Sequence, residues 1–220
     1  MSTISERDGT WVDVERAAFV ETLREADPAA PTLCTGWTVH RLLAHLVVRE
    51  SRPDLAAGAA RAPAGAEPQL TGLISGPGAP SYQDLLERFA SGPPAWTPFA
   101  WAPEATNLVE YVVHHEDVRR AAPSEAEPRV LATDMVRALW HRLGTLARLA
   151  YRRSPVGVVH AVPGGPRRVV RRRPDAVVVW GDPVELALHA LGRTEAADVD
   201  VLGRPETVEA FFAAHDESVV

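Results

Sequence analysis

The sequence predicts an α+β protein with two domains, a helical one over residues 1–153 and a small mixed one over residues 154–220. Three observations favour this class. Up to about residue 150 the apolar side chains recur at helical spacing. After Ser154 and Pro155 they form short β-branched runs bounded by Pro or Gly, which is typical of strands. The chain of 220 residues is also long enough for one large or two small domains with real cores.

Five segments of the first domain have the apolar periodicity of helices. The second of them is apolar almost all round, so we expect it at the centre of a helical bundle. Residues 53–80 are rich in Ala, Gly and Pro without periodicity, and they are predicted to form a long loop or weak helix that acts as a lid over the site. The predicted helices span residues 5–26, 39–49, 82–89, 107–120 and 129–153.

The second domain is predicted to combine short strands with two helices. Pro183 suits the first position of a helix and Gly192 its end. A domain of this size has little core of its own, so we expect it to pack on the helical domain. The predicted strands span residues 156–162, 167–172, 176–180 and 199–201, and the predicted helices residues 183–191 and 205–214.

Composition limits the classes of partner. The net charge of −6 argues against a protein that binds nucleic acid by neutralising phosphates. No apolar run is long enough for a membrane span, and residues 1–9 are polar without the core of a signal peptide. We therefore expect a cytoplasmic protein, monomeric or homodimeric, that acts on a small molecule and binds neither nucleic acid nor membrane.

The helix predicted at 107–120 carries the most informative polar residues of the chain. Glu110, His114 and Asp117 stand at i, i+4 and i+7, so they share one helix face, between apolar neighbours. Buried acids and imidazoles are costly unless they are paired with each other, a cation or a metal. A divalent metal would satisfy Glu110 and His114 together, because Glu-x-x-x-His spans one helical turn.

His45, inside the apolar second helix, is the natural third ligand. The alternative is a hydrogen-bonded core histidine, and the spacing alone leaves both interpretations open. Two His and one carboxylate leave positions for water or substrate, as in a catalytic rather than a structural metal site. Zinc is the default metal for such a set, with nickel, iron and manganese as alternatives.

Other residues receive plainer interpretations. His115 is expected at the surface or in a salt bridge, on a more solvated face of its helix shared with Leu108, Glu116 and Arg119. Asp117 is expected to orient a ligating imidazole rather than to bind the metal. Cys34 excludes an internal disulfide, and we expect a small buried hydrophobe there rather than a reactive thiol or a metal ligand.

Three segments resemble a known family, over nearly the whole chain. Residues 34–46 (CTGWTVHRLLAHL) resemble the GWTVxDLxAHL signature of the mycothiol-dependent maleylpyruvate isomerase family. Residues 107–120 (NLVEYVVHHEDVRR) resemble a block of an actinobacterial metal-binding branch of that family. Residues 180–193 are similar to the C-terminal domain of the family, though this match is weaker.

The resemblance implies a DinB-like four-helix bundle that binds a divalent metal, followed by a small α/β domain like a sterol-carrier fold. The ligands of the family map onto His45, Glu110 and His114, the residues that helix geometry selects. An Arg of the C-terminal domain matters for activity in the founding isomerase, and Arg193 is its best match here. The branch with the doubled His does not share an established substrate, so maleylpyruvate is not inherited.

The sequence and the resemblance together predict a metal-dependent transferase or isomerase that uses a thiol such as mycothiol on a small electrophile. Asp117 would orient His114, and Arg193 would bind a carboxylate of the substrate. Two alternatives remain open: a metal-dependent hydrolase that activates water, and a non-catalytic protein that binds a metal or a small ligand.

Overall fold

The computed structural model describes residues 10–52, 71, 75, 76, 78–121 and 128–216. The chain divides into two compact units, Met1–Pro128 and Arg129–Val220. The first is helical and the second contains a small sheet, so the predicted α+β class is confirmed at this level. Most of the predicted lid at 53–80 lies outside the described residues.

The longer helices of the N-terminal unit follow the predicted ones closely, whereas two short helices within residues 98–106 have no predicted counterpart. α1 begins where Thr10 and Asp13 form a capping box, and a second capping box joins Ser81 and Asp84 at the start of α3. The bounds are α1 Trp11–Glu25, α2 Val39–Ser51, α3 Tyr82–Ser91, α4 Pro98–Trp101, α5 Pro103–Thr106 and α6 Leu108–Arg119.

The core of this unit lies where α1 packs on α3 and α6 and where α2 packs on α3. Phe19 of α1 meets Phe89 of α3 edge-on, with ring centroids 5.6 Å apart. On α2, Leu42, Leu43 and Leu46 are fully buried, as expected for a helix that is apolar almost all round.

The expectation of a solvated face on α6 is wrong for three of its four residues, while Arg119 is half-buried. Leu108, His115 and Glu116 are all buried. α1 packs against α6, and its Glu15 reaches the imidazole of His115. The polar residues of α6 therefore signal internal partners rather than contact with water.

The C-terminal unit contains a mixed four-stranded sheet among its described residues. The strand order is β2-β1-β3-β4, in which β1 and β3 are parallel and the other neighbours antiparallel. The left-handed backbone of Gly192, with φ of 87°, ends α8 as predicted. The bounds are α7 Thr133–Ala150, β1 Gly157–Ala161, β2 Arg167–Arg171, β3 Ala176–Trp180, α8 Pro183–Ala190, β4 Asp200–Leu202 and α9 Pro205–Asp216.

The boundary between the units lies before α7 and not at 153/154, where the sequence analysis places it. α7 packs on α8 and β2 of its own unit. Arg168 of β2 donates to the Trp140 carbonyl at 2.8 Å, and its guanidinium lies 4.5 Å from the centroid of the Trp140 ring. A side chain at Gly144 would collide with that guanidinium. The longest helix is thus tied to the sheet.

Within the part of the chain that the structure describes, no helix is both long enough and apolar enough to cross a membrane.

Candidate metal centre

A tight turn over residues 34–37 leads into the helix that carries His45. The Trp37 N–H donates to the Cys34 carbonyl at 2.9 Å, and Gly36 supplies the left-handed backbone, with φ of 76°, that this turn requires. Thr38 then caps α2 by accepting from the Arg41 N–H. Turn and cap together set the position at which α2 begins.

His45 lies on the second turn of α2, between Trp37 and His114. Its ring centroid is 5.1 Å from that of Trp37 and 5.4 Å from that of His114, the latter in an edge-on arrangement. His45 is half-buried. The predicted meeting of α2 and α6 through these two imidazoles is therefore present.

The three predicted ligands come together. One ligand atom from each of His45, Glu110 and His114 lies within 4.8 Å of the others. His114 Nε2 is 3.5 Å from Glu110 Oε2, across one turn of α6. His45 and Glu110 are each half-buried, so the cluster has a side open to solvent.

Asp117 fixes the orientation of the His114 ring. His114 Nδ1 lies 2.8 Å from Asp117 Oδ2, and the Asp117 carboxylate is completely buried. An ionised carboxylate only accepts hydrogen bonds, so Nδ1 carries the proton and donates. The other nitrogen, Nε2, is the one that faces Glu110 and the cluster. This is the hydrogen-bond pattern by which proteins orient a metal-binding histidine.

Cys34 joins this arrangement, which the sequence analysis does not anticipate. Its Sγ donates to Asp117 Oδ2 at 3.2 Å and lies 4.0 Å from His114 Nδ1. The residue is half-buried rather than a buried hydrophobe, so that expectation is wrong. Cys34, His114 and Asp117 form a second group whose ligand atoms lie within 4.8 Å of one another.

Arg49, also missed by sequence reasoning, stands one turn after His45 on α2. Its Nε is 3.7 Å from Glu110 Oε2, and its Nη1 donates to the buried Asn107 amide oxygen at 2.7 Å. Spacing could have suggested it, since residues i and i+4 share a helix face. The guanidinium carbon of Arg49 lies over the Phe99 ring, 4.6 Å from its centroid.

Burial and charge act in opposite directions on the acid and the imidazole. Burial alone would raise the pKa of Glu110, but Arg49 and the two histidines outweigh it and hold the pKa well below its ordinary value. Burial alone would lower the pKa of His114, but hydrogen bonds with Asp117, Cys34 and Glu110 raise it well above its ordinary value. The site thus favours an ionised carboxylate.

His115 points away from the cluster. It is buried, with Nδ1 2.8 Å from Glu15 Oε1 and Nε2 2.7 Å from Thr22 Oγ1. Its ring stacks on Phe19 at a centroid distance of 4.8 Å. Of the two expectations for His115, the surface location is wrong and the pairing with an acid is present.

A further buried group joins one side chain from each of α1, α2 and α6. Tyr111 donates its hydroxyl to Glu50, and Arg16 donates to the Tyr111 hydroxyl at 2.7 Å. Burial raises the pKa of Glu50 to about 7, although Arg16 and Arg49 act against the shift. Nothing in the spacing of these three residues predicts their meeting, because each comes from a different helix.

Arg193 belongs to the C-terminal unit, just after the end of α8. Its Nη1 donates to the Leu191 carbonyl at 2.5 Å. In the same unit the hydroxyl of Tyr151 lies 2.7 Å from Nδ1 of His189. The role of Arg193 toward a substrate stays a prediction.

The donor set of the first group fits a divalent metal. Two imidazoles and a carboxylate are ligands that zinc and related metals take in catalytic sites. The group formed by Cys34, His114 and Asp117 fits less well, because its atoms already bond to one another around a buried carboxylate. His45, Glu110 and His114 are therefore the residues that could hold the ion.

Comparison with known proteins gives one match. The family model of the mycothiol maleylpyruvate isomerase N-terminal domain matches residues 12–119, a range that includes Cys34, the three candidate ligands and Asp117. No curated protein and no solved structure matches the chain.

Proposed function

We propose, from the premise that residues 12–119 belong to the mycothiol maleylpyruvate isomerase N-terminal domain family, that this protein binds a divalent metal through His45, Glu110 and His114. The observation that carries the proposal is the convergence of these three ligand atoms within 4.8 Å, on two helices of the matched range. A DinB-like four-helix bundle and a sterol-carrier-like second domain belong to the same proposal.

The proposed activity is transfer or isomerisation of a small electrophile with a low-molecular-weight thiol such as mycothiol as cosubstrate. A bound divalent metal, with zinc as the first candidate, would lower the pKa of that thiol. The chain supplies the rest: Asp117 keeps the proton on His114 Nδ1, and Arg49 keeps Glu110 ionised. Arg193 is proposed to bind a carboxylate of the substrate.

The first test is elemental analysis of protein purified without a metal-affinity tag. We expect about one divalent metal per chain in the wild type and almost none in His45→Ala or Glu110→Ala. His40→Ala is the matched control. It also removes an imidazole from α2, but the ring of His40 faces Tyr82 and not the metal cluster. Metal retained in both ligand variants, or absent from a folded wild type, would refute the proposed site.

The second test concerns the thiol. Loaded and metal-depleted protein are incubated with mycothiol and a small aryl halide, and the loss of free thiol is followed. In the expected reaction the S–H proton leaves to solvent, an S–C bond forms and the halide departs. Equal rates with and without metal would refute the thiol chemistry, and a metal-loaded protein without any activity would support a binding function instead.

A further inference from the structure

We infer that Cys34 is a positioning residue: its S–H donor holds the Asp117 carboxylate, and through it the His114 ring, in the orientation that the metal site needs. The inference rests on the proposed function of His45, Glu110 and His114. It assigns the cysteine neither direct contact with the metal nor a reaction of its own.

The first observation is the geometry around Asp117. One carboxylate oxygen, Oδ2, accepts from His114 Nδ1 at 2.8 Å and from Cys34 Sγ at 3.2 Å. The carboxylate is fully buried, so solvent does not supply a donor in place of the thiol. With both donors in place Oδ2 is held from two directions, and this orients the His114 ring and its Nε2.

The second observation is that the backbone holds Cys34 on both sides. The N–H of its neighbour Leu33 donates to the Asp117 carbonyl at 3.0 Å, which ties the loop to the last turn of α6. The carbonyl of Cys34 accepts from Trp37 at 2.9 Å within the turn that leads to α2. The thiol is therefore delivered to Asp117 by the same loop that sets the start of the His45 helix.

Two other roles of Cys34 would give different results on substitution. As a direct metal ligand, Cys34 would act through its thiolate, and a serine in its place would be a poor substitute. As a volume filler, it would matter for stability alone, and alanine would leave metal binding unchanged. As a hydrogen-bond donor, it can be replaced by serine but not by alanine.

The test uses Co²⁺ as the probe and compares the full-length wild type with Cys34→Ser and Cys34→Ala. We expect Cys34→Ser to bind Co²⁺ within about threefold of the wild type, and Cys34→Ala to bind it about tenfold more weakly, as for other residues that orient a ligand. The absorption spectrum supplies a second readout, because a cysteine ligand adds a thiolate-to-cobalt band that we expect to be absent.

Three results would overturn the inference: equal affinity in wild type and Cys34→Ala, loss of binding in Cys34→Ser, or a thiolate band that disappears in Cys34→Ser. If the wild type binds no Co²⁺, the proposed site itself fails. A wild type that binds Co²⁺ while Cys34→Ala matches it refutes the role of Cys34 alone. The two failures are thus distinguishable.

Where Cys34→Ala folds poorly, the affinity and spectrum of Cys34→Ser still test the inference. Where it folds, a double-mutant cycle with Asp117 tests whether the thiol acts through that carboxylate. Asp117→Asn keeps the shape of the side chain but removes the acceptor charge, so it should weaken Co²⁺ binding by itself. In the Asp117→Asn background, Cys34→Ala should change the Co²⁺ affinity by less than about twofold, because the effects of residues acting on one partner are not additive. Cys34→Ser in the same background is the control that keeps a hydrogen-bond donor at this position. Fully additive effects of Cys34→Ala and Asp117→Asn would contradict transmission through Asp117.

Discussion

Each unit of the protein buries histidine, and the two units treat it in opposite ways. In the N-terminal unit His114 lies between two carboxylates, Glu110 and Asp117, and its pKa is well above the ordinary value. In the C-terminal unit burial lowers the pKa of His160 to about 3, and neighbouring His189 and Arg168 act in the same direction. His160 packs edge-on against Tyr151, with ring centroids 5.4 Å apart.

The comparison shows that burial alone does not decide whether a histidine carries charge. Both side chains are at least nine-tenths shielded from solvent. The difference lies in the neighbouring side chains. Acids stabilise the charged form of histidine in one unit, whereas an aromatic ring and cations disfavour it in the other. Only the first kind of site resembles the surroundings that proteins build for a cation.

The largest effect on stability is expected at Asp117, the buried acid that pairs with His114. Asp117→Ala would leave the His114 imidazole without its buried partner, and we expect a loss of roughly 4 kcal/mol in the free energy of unfolding. Urea unfolding of the metal-free protein at pH 7 measures it. Asp134→Ala is the matched control, because that acid is exposed in an ion pair with Arg137 and should cost little. Similar losses in both variants would contradict the comparison.

His160 tests the opposite case, in which burial keeps a histidine neutral. A histidine whose folded-state pKa lies below its unfolded value contributes stability that is present above about pH 6.5 and lost as the pH falls toward the folded value near 3. Between pH 7 and pH 4 we expect a loss of roughly 3 kcal/mol in the wild type that is missing in His160→Leu.

Unfolding titrations of wild type and His160→Leu at the two pH values give this difference, with the contributions of other groups cancelling. An equal pH dependence in both proteins would show that His160 is not held neutral. The repulsion between His160 and the neighbouring His189 and Arg168 is part of the effect that this difference measures.

Glu50 sharpens the comparison for acids, because Glu110 and Glu50 both lie near Arg49 and differ in the direction of their pKa shifts. The pKa of Glu50 is raised from an ordinary 4.5 to about 7, so the folded state prefers the protonated acid. The contribution of Glu50 to stability is therefore greatest below about pH 4.5 and is lost as the pH rises through 7.

From pH 5 to pH 8 the wild type should lose about 2 kcal/mol relative to Glu50→Gln. Gln keeps an acceptor for the Tyr111 hydroxyl, which makes it the suitable replacement. Parallel stability curves for the two proteins over this range would place the pKa of Glu50 at its ordinary value.

The smallest effect concerns helix starts. Thr38 caps α2 through its side chain, whereas Asp182 at the start of α8 makes no side-chain cap bond, and Pro183 follows it. We expect Thr38→Ala to cost about 1 kcal/mol and Asp182→Ala only a few tenths. Thermal unfolding of the two variants measures both, and a larger effect at Asp182 would reverse the expected order.

The sequence predicted those parts of the site that a single helix determines. The spacing of Glu110, His114 and Asp117 follows from helix geometry alone, and the structure brings these side chains together. His45 on α2 follows from the apolar character of its helix and from the family resemblance. Whether these residues bind a metal stays a prediction.

The remaining features depend on contacts between elements distant in the sequence. Cys34 reaches Asp117 because a loop is tied to the end of α6 by a backbone hydrogen bond, which no periodicity records. The sequence leaves His115 either at the surface or in a salt bridge, because a polar residue on a helix resembles a solvated one until the covering helix is known. The assignment of α7 to the C-terminal unit depends on its packing against α8 and β2, which includes the contact of Arg168 with Trp140 and which no local pattern predicts.

The neighbouring histidines of α6 also determine how that helix can turn about its own axis. His114 bonds to Asp117 on its own helix, and His115 bonds to Glu15 of α1 and to Thr22 about two turns later. Rotation by one residue would bring His115 toward the position of His114 but would break both of its bonds to α1. The different partners of the two histidines thus fix the rotation of α6 about its axis. They exclude an alternative in which His115 faces α2 in place of His114.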